Sequence, residues 1–255
     1  MIHPQAIVDK SAQIAEDVEI GPWSYIGPNV TIDSGTVISP HVVINGPTTI
    51  GKDNRIFQFA SVGEDCQDKK YNGEPTRLEI GDNNVIRESC TIHRGTIQDE
   101  SVTKIGNGNL LMAYVHVAHD CVVGDDNIFA NNATLAGHVK VAHGAILGGF
   151  SGIHQFCQVG AYSMASMGSM VVKDMPAFVM VSGDTARAHG MNFEGMKRRG
   201  YSKETIAILR KAYKTVYRQG LTLKTALEQL ELLEENEELQ LFVDTLKSSS
   251  RGIVR

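Results

Sequence analysis

The sequence predicts a mainly β protein, in which a coil of short strands is followed by a small α-helical domain. Apolar residues recur every six positions along most of the chain; this pattern stops after Asp184, and helical spacing begins at Ser202. The composition is that of a folded protein, with 42% hydrophobic residues and a net charge of -5. Because this balance is mildly acidic, it gives no electrostatic case for nucleic acid, and we expect small anionic partners.

The six-residue repeat starts at the second residue of the chain. Successive steps of six from there all fall on Ile or Val: Ile2, Val8, Ile14, Ile20, Ile26, Ile32, Ile38, Ile44, Ile50, Ile56 and Val62. The register resumes from Ile80 to Ile92 and again from Ile105 to Val171. Six is a multiple of the strand period of two and not of 3.6, which excludes an amphipathic helix. If each unit forms one face, three units make one triangular coil.

A second series, four places after each apolar position, is predicted to share the interior. Its first members are Ala6, Ala12, Val18, Ser24, Val30, Thr36, Val42 and Thr48. Cys66, Cys90, Cys121 and Cys157 fall at the same place in the repeat, so we expect small interior residues and not disulfides or metal ligands. Gly, Asn and Asp are frequent between the apolar positions, where turns need positive φ.

The register is interrupted at 64–79 and at 98–104, and both segments are predicted to be loops extruded from the coil. Loops on a rigid scaffold often carry function. We assign residues 1–190 to the coil and 191–255 to the helical domain. There, Ser202 and Thr222 are predicted N-caps of two helices, the first ending at Gly220, and a third helix is predicted near Glu237.

Several histidines are predicted to lie on one edge of the coil. If the two loops are left out of the count, one column of the coil contains Val62, Ile92, Val117, Leu135 and Ile153. A histidine follows four of these residues by one to three places: His93, His119, His138 and His154. A single histidine is more often structural, but this alignment favours a functional site.

His119 with the adjacent Asp120 suits a general base, because the reference pKa of histidine is near 6.5 and a carboxylate can orient the imidazole. Clustered histidines could instead bind zinc, which would need three of them on one metal. Farther along, Arg198 and Arg199 suit a diphosphate, since guanidinium groups pair with phosphate oxygens. A solvated basic turn is the alternative interpretation of that pair.

Six segments carry a resemblance to a known family: QDKKYNGEPTR, IRESCTIHRGT, HVAHDC, NNATLAGHV, IHQFC and NFEGMKRRG. They resemble the signatures of UDP-N-acetylglucosamine O-acyltransferases, whose reaction begins lipid A biosynthesis, and the resemblance covers nearly the whole chain. It implies a left-handed parallel β-helix and a homotrimer with sites between subunits. It also implies transfer of an (R)-3-hydroxyacyl group from acyl carrier protein to the 3-hydroxyl of UDP-N-acetylglucosamine; a 3-amino acceptor stays open.

The same resemblance implies roles for individual residues. His119 would be the general base, Asp120 would orient it, and the backbone N–H of Gly137 would stabilise the oxyanion. The residues expected to position the amino sugar are Asp68, Lys70, His93, His116, His138, His154 and Gln155. The residues expected to hold the uridine diphosphate end or the pantetheine phosphate are Asn192, Glu194, Arg198 and Arg199. No metal, cofactor or covalent acyl-enzyme is expected, because the carrier-protein thioester is itself the co-substrate.

Met167 is a departure from the family pattern. The long-chain pattern has paired glycines after HQFC, where this chain has Ser166 and Met167. A methionine there should close the acyl groove early, so we expect a medium-chain donor near 3-hydroxydecanoyl. The alternative is that the methionine only fills a gap in the coil.

Three other functions are compatible with a coil of this kind: a zinc lyase of the carbonic anhydrase type, an N-acyltransferase acting later in lipid A synthesis, and a non-catalytic binding solenoid. We expect the N-acyltransferase to carry an additional N-terminal domain, whereas the repeat here begins at Ile2. No apolar run reaches the length of a membrane span and the N-terminus does not resemble a signal peptide, so we expect a cytoplasmic protein.

Overall fold

In the computed structural model, which describes residues 1–234 and 236–255, the chain winds into a parallel β-helix and ends in four helices. The strands are β1 (Ile7–Val8), β2 (Gln13–Ile14), β3 (Glu19–Ile20), β4 (Tyr25–Ile26), β5 (Val30–Ile32), β6 (Val37–Ile38), β7 (Val43–Ile44), β8 (Thr48–Ile50), β9 (Arg55–Ile56), β10 (Ser61–Glu64), β11 (Arg77–Ile80), β12 (Val85–Ile86), β13 (Thr91–His93), β14 (Val102–Ile105), β15 (Leu110–Leu111), β16 (His116–Val117), β17 (Val122–Val123), β18 (Ile128–Phe129), β19 (Thr134–Leu135), β20 (Lys140–Val141), β21 (Ile146–Leu147), β22 (Gly152–Ile153), β23 (Gln158–Val159), β24 (Met164–Ala165), β25 (Met170–Val171), β26 (Val179–Ser182) and β27 (Arg187–Met191).

Three sheets form the faces of the coil. The first sheet has the order β1-β4-β7-β10-β13-β16-β19-β22-β25, the second β2-β5-β8-β11-β14-β17-β20-β23, and the third β27-β26-β24-β21-β18-β15-β12-β9-β6-β3. Val62 pairs with Ile92, Ile92 with Val117, and Val117 with Leu135. The column predicted from the six-residue spacing is therefore confirmed. The pairing is parallel throughout, except that β27 runs antiparallel to β26.

The repeat positions form the core of the coil. Ile26, Ile44 and Ile92 are fully buried, and burial of each such side chain contributes about 1.5–3 kcal/mol. The second interior series is buried from Val18 onward, whereas Ala6 and Ala12 are only half-buried because they lie in the first coil, at the open end. The four cysteines are free and buried, as their place in the repeat predicts.

The two loops have other bounds than the interrupted register suggests: the first is shorter, and the second begins and ends earlier. β10 continues to Glu64, β11 begins at Arg77, and β14 begins at Val102. The two loops, which we call the first and second excursions, therefore occupy residues 65–76 and 94–101, and not 64–79 and 98–104. Residues 77–80 pair in parallel with residues 102–105. The end of each interrupted segment is therefore part of a strand of the second sheet, β11 or β14, and not of a loop.

The helices are α1 (Phe193–Arg198), α2 (Lys203–Arg218), α3 (Leu223–Leu230) and α4 (Glu237–Ser248). The predicted caps are confirmed, since the Ser202 hydroxyl accepts the N–H of Thr205 and the Thr222 hydroxyl accepts the N–H of Thr225. α1 was not predicted, because six residues are too few to show helical periodicity. Within the described residues, no helix is long and apolar enough to cross a membrane.

Candidate active site

The turns that join the first sheet to the second form one edge of the coil, which we call the histidine edge. His93 ends β13, His119 lies two residues after β16, His138 three residues after β19, and His154 directly after β22. Since β13, β16, β19 and β22 are neighbours in the first sheet, these histidines occupy successive levels of the same edge. The structure thus brings them together as the spacing predicts.

His119 and Asp120 form an imidazole–carboxylate pair at the middle of this edge. His119 Nδ1 lies 2.8 Å from Asp120 Oδ2, and the Asp120 side chain is only 1% exposed. Thr96 donates its backbone N–H to Asp120 Oδ1 at 2.8 Å and its hydroxyl to Oδ2 at 2.6 Å. Burial alone would raise the pKa of Asp120, but the hydrogen bonds from His119 and Thr96 outweigh it and hold the pKa below its usual value.

This arrangement fixes the hydrogen on one nitrogen of His119. An ionised carboxylate can only accept hydrogen bonds, so Nδ1 of His119 donates to Asp120. The lone pair of the neutral imidazole is then on Nε2, which is the atom that could take a proton from a hydroxyl. The pair therefore has the geometry of a general base with its orienting group.

Gly137 packs directly against the His119 ring. A Cβ atom at Gly137 would lie 2.6 Å from both Cε1 and Nε2 of His119, so only glycine allows the ring to occupy this place. Within the described chain, the N–H of Gly137 donates to no protein acceptor. Pro28, which has no N–H, occupies the equivalent position of an earlier turn on this edge. A free donor next to the imidazole is what an oxyanion site requires.

His138 is held on several sides. Its Nδ1 lies 2.9 Å from Asp99 Oδ2, and its ring stacks on Phe156 with centroids 4.4 Å apart. The ring also meets His119 edge to face, with centroids 5.0 Å apart. Thr96 and Asp99, which hold the two imidazole–carboxylate pairs, were missed from the sequence because they lie in the second excursion, outside the repeat.

His93 and His116 form a second, more deeply buried pair beside His119. Their ring centroids are 5.1 Å apart, and His116 Nδ1 lies 2.7 Å from the hydroxyl oxygen of Thr91. Burial lowers the pKa of His93, and it lowers that of His116 to about 4, with the charges of His93 and His119 adding to the effect. His116 is therefore neutral near pH 7 and can serve as a hydrogen-bonding group.

The remaining residues predicted on this side are exposed. His154 and Gln155 lie at the histidine edge, and Asp68 and Lys70 lie in the first excursion, where Asp68 Oδ1 accepts the N–H of Lys70 at 2.9 Å. Arg94, which was not predicted from the sequence, anchors this excursion. Its guanidinium group is nearly buried, donates to the carbonyl oxygens of Gly46 and Gly63 at 3.0 and 2.6 Å, and pairs with Asp65.

The zinc alternative requires three histidines on one metal, whereas the possible ligand group among the described residues contains two histidines and one aspartate. The described residues bring together one possible ligand group, in which one atom each of His119, Asp120 and His138 lie within 4.8 Å of one another. Both Nδ1 atoms face carboxylates, and Asp120 already accepts donors from His119 and Thr96. His119, Asp120 and His138 therefore form part of a hydrogen-bonded network that includes Thr96 and Asp99.

The second group of predicted residues lies elsewhere, on α1. Asn192 caps this helix by accepting the N–H of Gly195 at 3.0 Å, and Glu194 pairs with Lys197 at 2.7 Å. Arg198 is exposed, and the Arg199 guanidinium lies over the Tyr162 ring, 4.7 Å from its centroid. A cavity of about 650 Å³ separates α1 from the third sheet; its lining residues are Ile146, Met164, Met180, Met191, Asn192, Phe193, Glu194, Gly195, Arg198 and Arg199.

Met167 also lies away from the histidine edge. It is 73% exposed and occupies the turn from β24 of the third sheet to β25 of the first. We call the turns between these two sheets the aromatic edge, because they carry the exposed Trp23, Phe59, Tyr114 and Phe150. Within one chain, the α1 residues and Met167 are thus on the side of the third sheet, whereas His119 lies between the first and second sheets.

Comparison with known proteins covers the whole chain. Residues 174–254 match the family described as "Udp N-acetylglucosamine O-acyltransferase; Domain 2", and residues 1–34 and 103–137 match the bacterial transferase hexapeptide repeat. The acyl-[acyl-carrier-protein]–UDP-N-acetylglucosamine O-acyltransferase of Stutzerimonas stutzeri is 57% identical over 256 residues, covering 100% of this chain and 99% of that protein.

Solved structures agree with the sequence comparison. LpxA from Acinetobacter baumannii is 57% identical with a TM-score of 0.98, covering 100% of this chain and 99% of its own. The UDP-N-acetylglucosamine O-acyltransferase of Moraxella catarrhalis is 55% identical with the same TM-score and the same coverage of both chains. The coil is accordingly the left-handed parallel β-helix of the hexapeptide-repeat transferases, which confirms the predicted fold.

Proposed function

The chain belongs to the family of UDP-N-acetylglucosamine O-acyltransferases, and we propose that His119 is the base with which it acylates its sugar substrate. As an acyltransferase of the first step of lipid A biosynthesis, it moves an acyl group from acyl carrier protein to UDP-N-acetylglucosamine. The observation that carries the proposed mechanism is the contact of His119 with both the buried Asp120 carboxylate and Gly137.

The reaction proceeds by direct attack. Nε2 of His119 takes the proton of the sugar 3-hydroxyl while its oxygen attacks the thioester carbonyl carbon. The N–H of Gly137 stabilises the negative charge that develops on the carbonyl oxygen. When the tetrahedral intermediate collapses, the carbon–sulfur bond breaks and the carrier-protein thiolate takes the proton from the His119 imidazolium. Asp120 stabilises that imidazolium, and no metal, cofactor or covalent acyl-enzyme is needed.

The other groups of the histidine edge are proposed to position the amino sugar. His93 and His116 offer neutral imidazoles beside His119, and His154 with Gln155 offers exposed polar groups at the next level. Asp68 and Lys70 would contact the sugar from the first excursion. Arg94 supports this role, because its hydrogen bonds tie the start of that excursion to the coil.

A complete site is proposed to require two copies of the chain in a homotrimer. Asn192, Glu194, Arg198 and Arg199 would bind the diphosphate end, but they lie on the side of the third sheet. A neighbouring copy could place that side against the histidine edge. The exposed side chains of the aromatic edge support such a contact, since exposed apolar side chains concentrated on one surface favour protein association. The cytoplasm is the compartment we propose for the reaction.

The experiment that tests the proposal is incubation of the purified protein with UDP-N-acetylglucosamine and 3-hydroxyacyl carrier proteins of graded length. Mass analysis should detect one added acyl group on the sugar, with the greatest rate near ten carbons. A parallel reaction with the 3-amino sugar nucleotide identifies the acceptor group. Lack of any acylated product across all lengths would contradict the proposal. The relatives favour neither a zinc lyase nor a later N-acyltransferase.

A further inference from the structure

Asp99 has no part in the transfer chemistry described above, yet the second excursion carries it to the histidine edge. Its Oδ2 lies 2.9 Å from Nδ1 of His138, 39 residues away along the chain. The excursion is closed on itself by the Thr96 carbonyl, which accepts the N–H groups of Asp99 at 3.3 Å and Ser101 at 3.1 Å. Thr96 also donates twice to Asp120, so one short turn holds both carboxylates of the edge.

Contacts on the other sides leave His138 little freedom. Its side chain is 13% exposed, its face lies on Phe156 with an interplanar angle of 12°, and its ring is perpendicular to that of His119. Because the Asp99 carboxylate only accepts, Nδ1 of His138 carries a hydrogen. Nε2 is then the atom on the side of the catalytic pair, 3.8 Å from Asp120 Oδ2.

We propose that Asp99 is a positioning residue for acyl transfer, acting through His138. It fixes the plane and the hydrogen of the His138 ring, so that Nε2 faces the space beside His119 in which the sugar hydroxyl is to be held. This inference rests on the proposed function. The groups that meet His138 on its other sides are Phe156, His119 and Asp120. Asp120 is itself held by hydrogen bonds from Thr96 and His119, which do not involve the Asp99 side chain.

Kinetics of three variants test the role. Asp99→Ala should lower kcat about tenfold, because a loosened catalytic group misaligns the reacting atoms, and should leave KM for the sugar nucleotide within about twofold. Asp99→Asn should recover part of the rate, since its amide oxygen can still accept from Nδ1. Glu100→Ala is the matched control, because Glu100 is exposed and its side-chain partner among the described residues is Lys104, at 3.3 Å. Its rate should equal that of the wild type, and all three variants should keep the wild-type Tm.

NMR of protein labelled with ¹⁵N-histidine gives a second readout, with His138→Gln identifying the signal. The His138 hydrogen should be on Nδ1 in the wild type and should redistribute to Nε2 in Asp99→Ala. A kcat in Asp99→Ala within twofold of an active wild type, or an unchanged His138 signal, would overturn the inference alone. A wild type with no turnover would instead overturn the proposed function.

Discussion

The proposed catalytic pair, His119 and Asp120, depends on the backbone at a single turn. Asp120 has a φ of 58°, a left-handed conformation that Asp tolerates better than most residues. This conformation lets two consecutive side chains, His119 and Asp120, contact each other at one corner of the coil. The turn conformation of the repeat therefore creates the imidazole–carboxylate contact, which we propose to be the base and its orienting group, from adjacent residues.

His119→Ala should lower turnover by at least about 10²-fold, the effect of removing a general base. The variant should keep the oligomeric mass of the wild type, since the His119 side chain is at the edge and not in the core. Its Tm should fall only modestly, because the buried Asp120 loses the His119 hydrogen bond but keeps both donors from Thr96. His3→Ala, which removes an exposed histidine from the first coil, is the control and should be fully active. Steady-state rates with saturating substrates measure the effect, and near-normal turnover of His119→Ala would reject the assignment.

His116 should make the protein sensitive to mild acid. Burial lowers its folded pKa to about 4, whereas the ordinary value is 6.5. Between these values the unfolded chain binds a proton at this site and the folded chain does not, so stability falls as pH drops through that window. Each pH unit in the window changes the free energy of unfolding by about 1.4 kcal/mol for a fully titrating group.

The Tm of the wild type should therefore decrease between pH 7 and pH 5, and that of His116→Gln should decrease less. Part of the decrease should stay in the variant, because burial also lowers the pKa of His93. His3→Gln is the control, and its Tm should depend on pH as that of the wild type does. Equal slopes for His116→Gln and the wild type would show that this group does not govern the acid sensitivity.

Sequence spacing could predict which histidines share an edge, because the repeat fixes the level and corner of every residue in register. It could not predict Thr96 and Asp99, which reach Asp120 and His138 from the second excursion. Residues outside the repeat have no fixed level, so their partners depend on how the excursion folds back. Arg94 was missed for the same reason, although His93 directly before it was found.

At the level of elements, the coil contains a buried ladder of asparagines. Its members are Asn54, Asn84, Asn109 and Asn127, each four places after an apolar repeat position of the second sheet. Each side-chain oxygen accepts a backbone N–H one coil further on, as Asn84 Oδ1 does from Asn109 and Asn109 Oδ1 from Asn127. This ladder satisfies polar groups inside the coil, and its spacing is visible in the sequence.

Asn109→Ala should destabilise the coil, because it leaves the backbone N–H of Asn127 without its acceptor and Asn84 Oδ1 without one donor. Stranding a buried polar group costs about 1–3 kcal/mol. Asn107→Ala removes the same side chain from an exposed position of the same turn, where its hydrogen bonds with Asp82 and Asp125 are open to solvent, and should cost about 1 kcal/mol or less. Denaturant midpoints compare the two, and equal losses would contradict a special role for the ladder.

The helices show where periodicity stops being informative. α2, α3 and the region of α4 were predicted, because their apolar faces and N-caps lie in segments of eight or more residues. α1 is one and a half turns long, and its position follows from Asn192 capping a chain that has just left β27. Glu194 and Arg198 lie within α1, and Asn192 and Arg199 are its two caps, so the proposed diphosphate residues lie on an element that the sequence did not predict.

At the scale of the whole molecule, the predicted site residues lie on two sides of one chain, and the proposed homotrimer would bring them together. We expect the wild type to have three times the 27.8 kDa mass of one chain in light scattering coupled to size exclusion.

Phe59→Lys places a charge on the aromatic edge, where Phe59 is 62% exposed, and should lower both the mass and the activity. Leu232→Lys, at an 84% exposed position of the helical domain, should change neither. A trimeric Phe59→Lys would exclude this part of the edge from the interface.

Met167 connects the assembly to donor choice. Its side chain is 73% exposed on the aromatic edge, so it can limit an acyl chain bound near His119 only if a neighbouring copy brings that edge to the site. Met167→Gly removes this exposed side chain from the surface of the aromatic edge. The variant should extend the preferred donor from about ten carbons towards longer chains, measured as relative kcat/KM across the graded carrier proteins. Each added methylene in an apolar groove changes binding by about 0.8 kcal/mol, so a donor two carbons longer should gain roughly tenfold relative to the wild-type preference. An unchanged preference in a trimeric, active variant would show that Met167 does not set the length of the acyl chain.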